Sequence, residues 1–179
     1  MEKIEPVIDT HAHFDELEDP DGVILEAKEA GVSAIIVVGQ SMESNKKTLE
    51  IAGRHLGYLF PAVGYHPWLI KEEDIEETLA ELDRDLKECV ALGEIGLDYK
   101  AKVKKKLQKK VFQRLLELAG KHDKPVIIHS RYSHQTTYNM VKERGLKKAV
   151  FHWYSGPLDV LDSIVSAGYY VSATPALLY

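Results

Sequence analysis

Two histidines separated by one residue, His11 and His13, close the first apolar stretch of the chain. Side chains two positions apart in a β-strand lie on the same face, so both imidazoles project together if this stretch is a strand. Imidazole nitrogens are common ligands of zinc and similar divalent cations. The pair would therefore make half of a metal site. The alternative is a chance pair, with one ring packed in the core and the other in solvent.

Further polar residues follow later apolar runs of the same kind. They stand where short β-strands would end, at His66, Glu94, His129 and His152. One histidine after an apolar run is usually a core residue with a hydrogen-bond partner, but histidines at several strand ends beside a carboxylate indicate a ligand set. We therefore predict five metal ligands: His11, His13, Glu94, His129 and His152. Glu94 has two carboxylate oxygens and could bridge two ions about 3.5–4 Å apart.

The rest of the sequence predicts the elements that would bring these residues together. Short apolar runs, such as 33–38 and 125–128, alternate with longer segments of helical periodicity, such as 72–88 and 103–121. This alternation indicates βαβ units and a parallel sheet, either open and doubly wound or closed. Only in a (β/α)8 barrel do the carboxyl ends of all strands converge on one mouth. We therefore predict an α/β fold of the TIM type, here with about seven strands and six helices.

The composition is that of an ordinary globular protein. Hydrophobic residues make up 45% and charged residues 28% of the 179 residues, which predicts one domain over 1–179. The sequence shows no signal peptide and no apolar run long enough to cross a bilayer, so we expect no membrane partner. The lone cysteine, Cys89, excludes an internal disulfide and fits a cytoplasmic protein. The net charge of -5 argues against electrostatic wrapping of nucleic acid over the whole surface.

Five motifs lie in order along nearly the whole chain. They are DTHAHFD (9–15), GYHP (64–67), GEIGLD (93–98), PVIIHSR (125–131) and FHWYSG (151–156). Together they resemble the TatD family of metal-dependent deoxyribonucleases, which belongs to the amidohydrolase-like barrels. The resemblance implies hydrolysis of DNA phosphodiester bonds from a 3′ end, with single-stranded DNA or a 3′ end as the partner. It also implies two divalent metal ions, either zinc, manganese or magnesium, as cofactors.

The resemblance further implies roles for individual residues. The ligands of the first ion would be His11, His13 and Glu94. The ligands of the second ion would be Glu94, His129 and His152. Glu94, shared by both ions, is also the predicted catalytic residue, and His66 and Arg131 match positions expected to bind the substrate phosphate. Asp15 and Asp98 are expected to orient the ligand histidines.

The carboxyl end departs from the family pattern. That pattern continues to an eighth strand ending in an aspartate, which is the expected general base and a further ligand of the first ion, whereas this sequence ends at Tyr179. We therefore expect the domain to be C-terminally incomplete, with metal binding retained and hydrolysis reduced by at least the about 10²–10⁴-fold that a general base contributes. Two alternatives stay open. One is a metallohydrolase of the same scaffold that acts on an amide, ester or aminoacyl-tRNA bond, and the other is a non-catalytic metal-binding fragment.

Basic and aromatic residues cluster near the predicted mouth. Seven lysines between positions 100 and 110 either attract DNA phosphates or form a solvated helix face. Aromatic side chains near strand ends either stack on unpaired bases or pack at the rim; they are Tyr65, Trp68, Tyr99, Trp153 and Tyr154. The remaining histidines are predicted to be surface residues: His55, His122 and His134.

Overall fold

The structure is a computed structural model that describes residues 7–174, and within this range it contains one parallel sheet. The strands pair in the order of the sequence, from β1 to β7. They are β1 Val7–Ala12, β2 Val32–Val38, β3 Leu59–Val63, β4 Ala91–Asp98, β5 Val126–Arg131, β6 Ala149–Phe151 and β7 Tyr170–Val171. A doubly wound sheet reverses its strand order part-way, so the sequential order is that of a barrel wall.

The sheet is strongly curved. Five strand spacings separate β1 from β6, which in a flat sheet would hold the two strands about 24 Å apart. The ring centroids of His11, near the end of β1, and His152, directly after β6, nevertheless lie 3.6 Å apart. Only a curled sheet brings these strand ends together, and this confirms the predicted TIM-type architecture.

Six α-helices connect the strands of the described range. They are α1 Pro20–Glu29, α2 Met42–Arg54, α3 Ile75–Asp85, α4 Lys105–Lys121, α5 His134–Glu143 and α6 Leu158–Ser166. The first two begin at side chains that accept a hydrogen bond from a free N–H group of the first turn: Asp19 caps α1 and Ser41 caps α2. Among residues 7–174, no helix is both long enough and apolar enough to cross a membrane.

The main core lies between the middle of the sheet and helices α3 and α4. Every residue of β4 is buried, as expected for a parallel strand covered on both faces. Leu82 of α3 and Phe112 of α4 are fully buried in the same cluster as Leu92 and Ile95 of β4. The strand that carries Glu94 is therefore held by packing on both sides.

Two element bounds differ from the sequence prediction for identifiable reasons. The predicted helix 72–88 is a 3-10 turn, Glu72–Asp74, followed by α3. Strand β5 continues three residues past the apolar run 125–128, because its pairing with β4 extends to Asp98 and Arg131. The polar side chains of the PVIIHSR motif thus belong to the strand itself and not to a following loop.

Gln108 of helix α4 forms hydrogen bonds with the backbone at the carboxyl end of β4. Its Oε1 accepts the backbone N–H of Asp98 at 2.8 Å, and its Nε2 donates to the carbonyls of Asp98 at 2.7 Å and Val103 at 2.8 Å. The side chain is fully buried. A glutamine in an amphipathic helix would ordinarily be assigned to the solvent face, so sequence reasoning missed this contact.

Replacing Gln108 with alanine should destabilise the metal-free protein by about 1–3 kcal/mol or more, because each buried polar group left without a partner costs about that much. Urea denaturation followed by circular dichroism would measure the free energy of unfolding. Gln113→Ala is the matched control, because Gln113 is exposed on the same helix and should change stability by less than about 0.5 kcal/mol. Equal losses in the two variants would contradict the proposed role of Gln108.

Candidate metal centre

Glu94 of β4 is 3% exposed and faces four histidines from three other strands or strand ends. Its Oε1 lies 2.9 Å from Nδ1 of His129 and 3.7 Å from Nε2 of His66. Its Oε2 lies 3.3 Å from Nε2 of His11 and 3.6 Å from Nε2 of His13. One buried carboxylate is therefore shared by imidazoles on its two sides.

The electrostatics of this cluster favour positive charge beside Glu94. Burial raises the pKa of Glu94, but the histidines that face it lower that pKa by more, so it lies well below its usual value. Burial also lowers the pKa of His13, but Glu94 and the carbonyl of Val38 raise it to above its usual value. An ionised, buried carboxylate surrounded by imidazoles is a group of donors that could hold a divalent cation.

Glycine is required at two positions for the backbones to approach Glu94 so closely. A Cβ atom on Gly64, directly after β3, would lie 2.4 Å from the backbone nitrogen of Glu94. A Cβ atom on Gly96 would lie 2.0 Å from the carbonyl oxygen of His129, and Gly96 also has a φ of 149°. These glycines of the GYHP and GEIGLD motifs let β3, β4 and β5 bring their polar side chains together.

His11, His13 and Glu94 form the first group, with one potential ligand atom from each and all three atoms within 4.8 Å of one another. Nδ1 of His13 lies 2.8 Å from the carbonyl of Val38, and since a carbonyl can only accept, Nδ1 carries the hydrogen. Nε2 of His13 is then the nitrogen with a free lone pair, 3.0 Å from Nε2 of His11. The side-chain amide of Gln40, a residue that the sequence did not single out, also lies 3.0 Å from this nitrogen.

His129 lies between two carboxylates on the other side of the centre. Its Nδ1 contacts Glu94, and its Nε2 lies 3.1 Å from Oδ2 of Asp98. Asp98 is fully buried and also accepts hydrogen bonds from the indole of Trp68 at 2.5 Å and the backbone N–H of Lys100 at 2.7 Å. Burial raises the pKa of Asp98, but these contacts lower it by more. Asp98 therefore orients His129, as the sequence predicted.

His66 is the third member of a second group of ligand atoms, with Glu94 and His129, that also lie within 4.8 Å of one another. Its Nδ1 accepts the backbone N–H of Trp68 at 3.3 Å. A neutral imidazole has one N–H and one lone pair, so Nε2 of His66 carries the hydrogen. Burial lowers the pKa of His66, which keeps the ring neutral. This tautomer suits donation to an anion better than binding of a cation.

His152 stacks on His11, with their ring planes 11° apart. Burial, and then the neighbouring His11, lower the pKa of His152 to about 4, so the ring is neutral at neutral pH and keeps a lone pair. Nδ1 of His152 and Nδ1 of His11 are both buried and have no hydrogen-bond partner among residues 7–174. Because a buried polar nitrogen normally has a partner, these two nitrogens fit rings that bind cations.

Acidification should destabilise the metal-free protein through His152. The unfolded chain protonates this ring near pH 6.5 and the folded chain only near 4, so the unfolded state binds more protons in between. The free energy of unfolding therefore falls as the pH falls from 6.5 to 4, by less than the ceiling of about 1.4 kcal/mol per pH unit for one proton. Urea denaturation at several pH values should give a smaller fall for His152→Gln. Identical slopes would contradict this assignment.

The remaining residues that the sequence singled out, which are not predicted metal ligands, lie at different distances from the centre. Arg131 is half-exposed at the mouth, with a guanidinium nitrogen 4.0 Å from Oδ2 of Asp98. Asp15 contacts no histidine within the described residues, and its Oδ1 is buried without a partner. Two of the histidines assigned to the surface, His55 and His122, each have Nε2 at 2.6 Å from a carboxylate oxygen. His134 is partly buried, and burial lowers its pKa.

The aromatic residues near the strand ends divide into two sets. Trp68 and Trp153 are 50% and 55% exposed. Tyr65 is buried, and its hydroxyl donates to Asp74. Tyr99 packs against the main core, and the hydroxyl of Tyr154 donates to the carbonyl of Pro157 at 2.6 Å. Of these five side chains, the two tryptophans are therefore exposed enough to stack on a ligand, and the three tyrosines pack at the rim.

Asn45 of α2 is a positioning residue that the sequence analysis missed. It is buried, its Nδ2 donates to the carbonyl of Gly64 at 2.9 Å, and its Oδ1 accepts the N–H of Gly64 at 3.0 Å. This contact fixes the segment that leads into His66. The helical spacing of Asn45, Leu49 and Ala52 places the amide on the inward face of α2 and could have revealed it.

The family model described as TatD related DNase matches residues 8–179. This chain belongs to the TatD family. It is 31% identical over 189 residues to deoxyribonuclease TATDN3 of Homo sapiens, with 96% of this chain and 69% of that protein covered. It is 32% identical over 161 residues to the 3′-5′ ssDNA/RNA exonuclease TatD of Erwinia tasmaniensis, with 87% and 62% covered.

A solved structure agrees with this membership. The crystal structure of the TatD homologue YjjV from Escherichia coli superposes with a TM-score of 0.81 at 32% identity, over 92% of this chain and 66% of that one. The resemblance drawn from the five motifs is thereby confirmed. This TatD-family chain spans about two thirds of the length of the relatives that it matches.

Proposed function

We propose that this TatD-family chain is a metal-dependent hydrolase that cleaves DNA phosphodiester bonds, as a 3′-5′ exonuclease acting on single strands or 3′ ends. The observation that carries the proposal is the buried carboxylate of Glu94, with histidines from separate strand ends on both of its sides. The names of the relatives support it, since one is a deoxyribonuclease and another a 3′-5′ ssDNA/RNA exonuclease. Cys89 is free and buried, which fits a protein of the reducing cytoplasm.

The donor set of this centre fits two divalent ions. The candidate metals are zinc, manganese and magnesium. The first would be held by His11, His13 and Glu94. The second would be held by Glu94, His129 and His152. When bound, such a pair of ions stabilises charge on a phosphodiester and activates water. His13 can bind only through Nε2, because its Nδ1 donates to Val38.

The other side chains of the mouth would act on the substrate itself. Nε2 of His66 carries a hydrogen and can donate to a phosphate oxygen. The guanidinium of Arg131 is half-exposed, and its planar fork suits two phosphate oxygens at once. Asp98 holds His129 in place. Glu94 stays ionised because the imidazoles around it keep its pKa low.

Hydrolysis of a 5′-labelled single-stranded DNA with each metal tests the proposal. We expect shortening from the 3′ end, loss of activity with a chelator, and recovery when manganese or zinc is added back. His66→Gln and Arg131→Gln should slow cleavage without changing metal content. Small esters, amides and aminoacyl-tRNA are assayed in parallel. Hydrolysis of these compounds without hydrolysis of DNA would overturn the nuclease assignment, as would metal binding without any hydrolysis.

A further inference from the structure

Two aromatic side chains stand exposed at the mouth, one on each of the loops that follow the neighbouring strands β5 and β6. Tyr132 is 65% exposed and Trp153 is 55% exposed. Aromatic side chains of this size usually bury most of their surface. Two exposed rings beside one buried polar centre therefore suggest a binding role and not a packing role.

Both rings are carried by backbone that is held in an unusual conformation. Tyr132 has a φ of 54° and Trp153 a φ of 44°, in the left-handed region that residues with a side chain rarely adopt. Next to Tyr132, the hydroxyl of Ser133 donates to the carbonyl of Leu97 at 2.7 Å. The N–H of Trp153 donates to the hydroxyl oxygen of Ser172 at 2.9 Å. Strained backbone persists where neighbouring contacts hold it, and such positions cluster at binding sites.

The surroundings of the two rings suit a strand of nucleic acid. The indole of Trp153 lies nearly parallel to the ring of His152, with planes 21° apart and centroids 5.2 Å apart. A base on the indole would therefore lie next to the metal centre. The ammonium of Lys100 is 5.1 Å from the centroid of the Tyr132 ring, and Arg131 precedes Tyr132. Both cations would attract the phosphates on either side of a stacked base.

A cleft of about 620 Å³ runs between the two loops. Its lining includes Arg131, Tyr132 and His134 on one side and Gly156 and Pro157 on the other, and Trp153 lies outside it on the loop that carries Gly156 and Pro157. The volume falls within the range of small-molecule sites. Among the described residues that line it, only Arg131 has a formal charge at neutral pH, because burial keeps His134 neutral by lowering its pKa. The uncharged part of this cleft suits a flat, uncharged base. A phosphate would be attracted only to the end of the cleft where Arg131 lies.

We propose that Tyr132, the cleft that it lines and Trp153 on the neighbouring loop form a subsite that binds an unpaired base of the nucleotide next to the phosphate at the metal centre. The inference rests on the proposed nuclease function. A base of intact duplex DNA is already paired and stacked, so the subsite selects single-stranded ends. Stacking on a ring depends little on sequence, so the subsite accepts all bases.

Fluorescence titration with two single-stranded oligomers of equal length tests the subsite. One carries thymine bases, and the other carries abasic sugar phosphates. Each oligomer is titrated into the protein in the presence of calcium and, separately, in the presence of a chelator, so that binding is measured with and without a divalent cation. The chain has two tryptophans, and the indole of Trp68 donates to Asp98, so both are kept and binding is read from the anisotropy of a dye on each oligomer. We expect the base-bearing oligomer to quench the tryptophan fluorescence and to bind more tightly than the abasic oligomer. Equal binding of both oligomers, or binding of neither, would overturn the proposal.

Substitutions separate stacking from a structural role. Tyr132→Ala and Trp153→Ala should each weaken binding of the base-bearing oligomer by about 5- to 100-fold, leaving abasic binding unchanged. Tyr132→Phe keeps the ring and should retain wild-type affinity. Leu56→Ala, which removes an 84% exposed apolar side chain three residues before β3, is the control for lost surface. Wild-type affinity in both alanine variants would overturn the proposal even if Trp153→Ala perturbs folding.

Cleavage of the two oligomers distinguishes this proposal from the nuclease assignment. If manganese supports equal cleavage of the base-bearing and the abasic oligomer, the nuclease stands and the subsite is wrong. If neither is cleaved but binding depends on the bases and on Tyr132, the subsite stands and the nuclease assignment is wrong.

Discussion

Replacing Glu94 with glutamine should remove metal binding from both groups of histidines. The amide loses the negative charge and one of the two acceptor oxygens that face His11 and His13 on one side and His129 on the other. The affinity for zinc or manganese should fall by more than about 10–100-fold, which is the loss typical of replacing a residue that only orients a ligand. Isothermal titration calorimetry of the purified, metal-depleted protein measures the affinity and the number of ions bound.

Asp98→Asn is the matched control for Glu94→Gln, because it makes the same chemical change to a neighbouring buried carboxylate of the same strand. Asp98 contacts His129 but neither His11 nor His13 among the described residues. Its replacement should therefore cost about 10–100-fold in affinity and only at the second group. An equal or larger loss in Asp98→Asn would show that Glu94 is not the shared ligand.

The double variant His11→Ala and His129→Ala should lose both ions, because it removes one imidazole from each group and leaves each with fewer than three predicted ligands. Elemental analysis after dialysis against trace zinc or manganese should show strongly reduced metal content. The control is the double variant His55→Ala and His122→Ala. It also removes two imidazoles, but these pair with Asp21 and Asp83 away from the centre. Undiminished metal content in the first variant would contradict the assigned site.

The meeting of the polar side chains at the strand ends could be predicted from the sequence, because it follows from two geometric rules for β-strands and parallel sheets. Alternation along a strand predicts His11 and His13 on one face; β1 ends at Ala12, directly before His13, and the structure places the Nε2 atoms of the two rings 3.0 Å apart. Convergence of parallel strand ends then predicts the meeting of these rings with Glu94 and His129. Neither step needs knowledge of loop conformation or of side-chain packing.

The finer arrangement could not be predicted, since it depends on contacts between residues distant in sequence. Sequence pattern does not show that Nδ1 of His66 accepts from Trp68, and this contact decides which nitrogen faces Glu94. Nor does it show that His152 stacks on His11. The buried amide of Gln108 binds backbone groups ten residues away, where helical periodicity carries no information.

The sharing of Glu94 by both groups makes their affinities interdependent. Two divalent ions would bring four positive charges, while imidazole ligands add no charge of their own and, among the described residues of the centre, the buried carboxylates are those of Glu94 and Asp98. The first ion would therefore draw on the carboxylate that the second also needs, and the two ions would oppose each other's binding. This antagonism is reciprocal, since each ion must weaken the other by the same factor. The protein with one bound ion should accordingly be the main species over a wide range of metal concentrations. The fraction of protein with two bound ions would then depend on the concentration of the metal that binds more weakly.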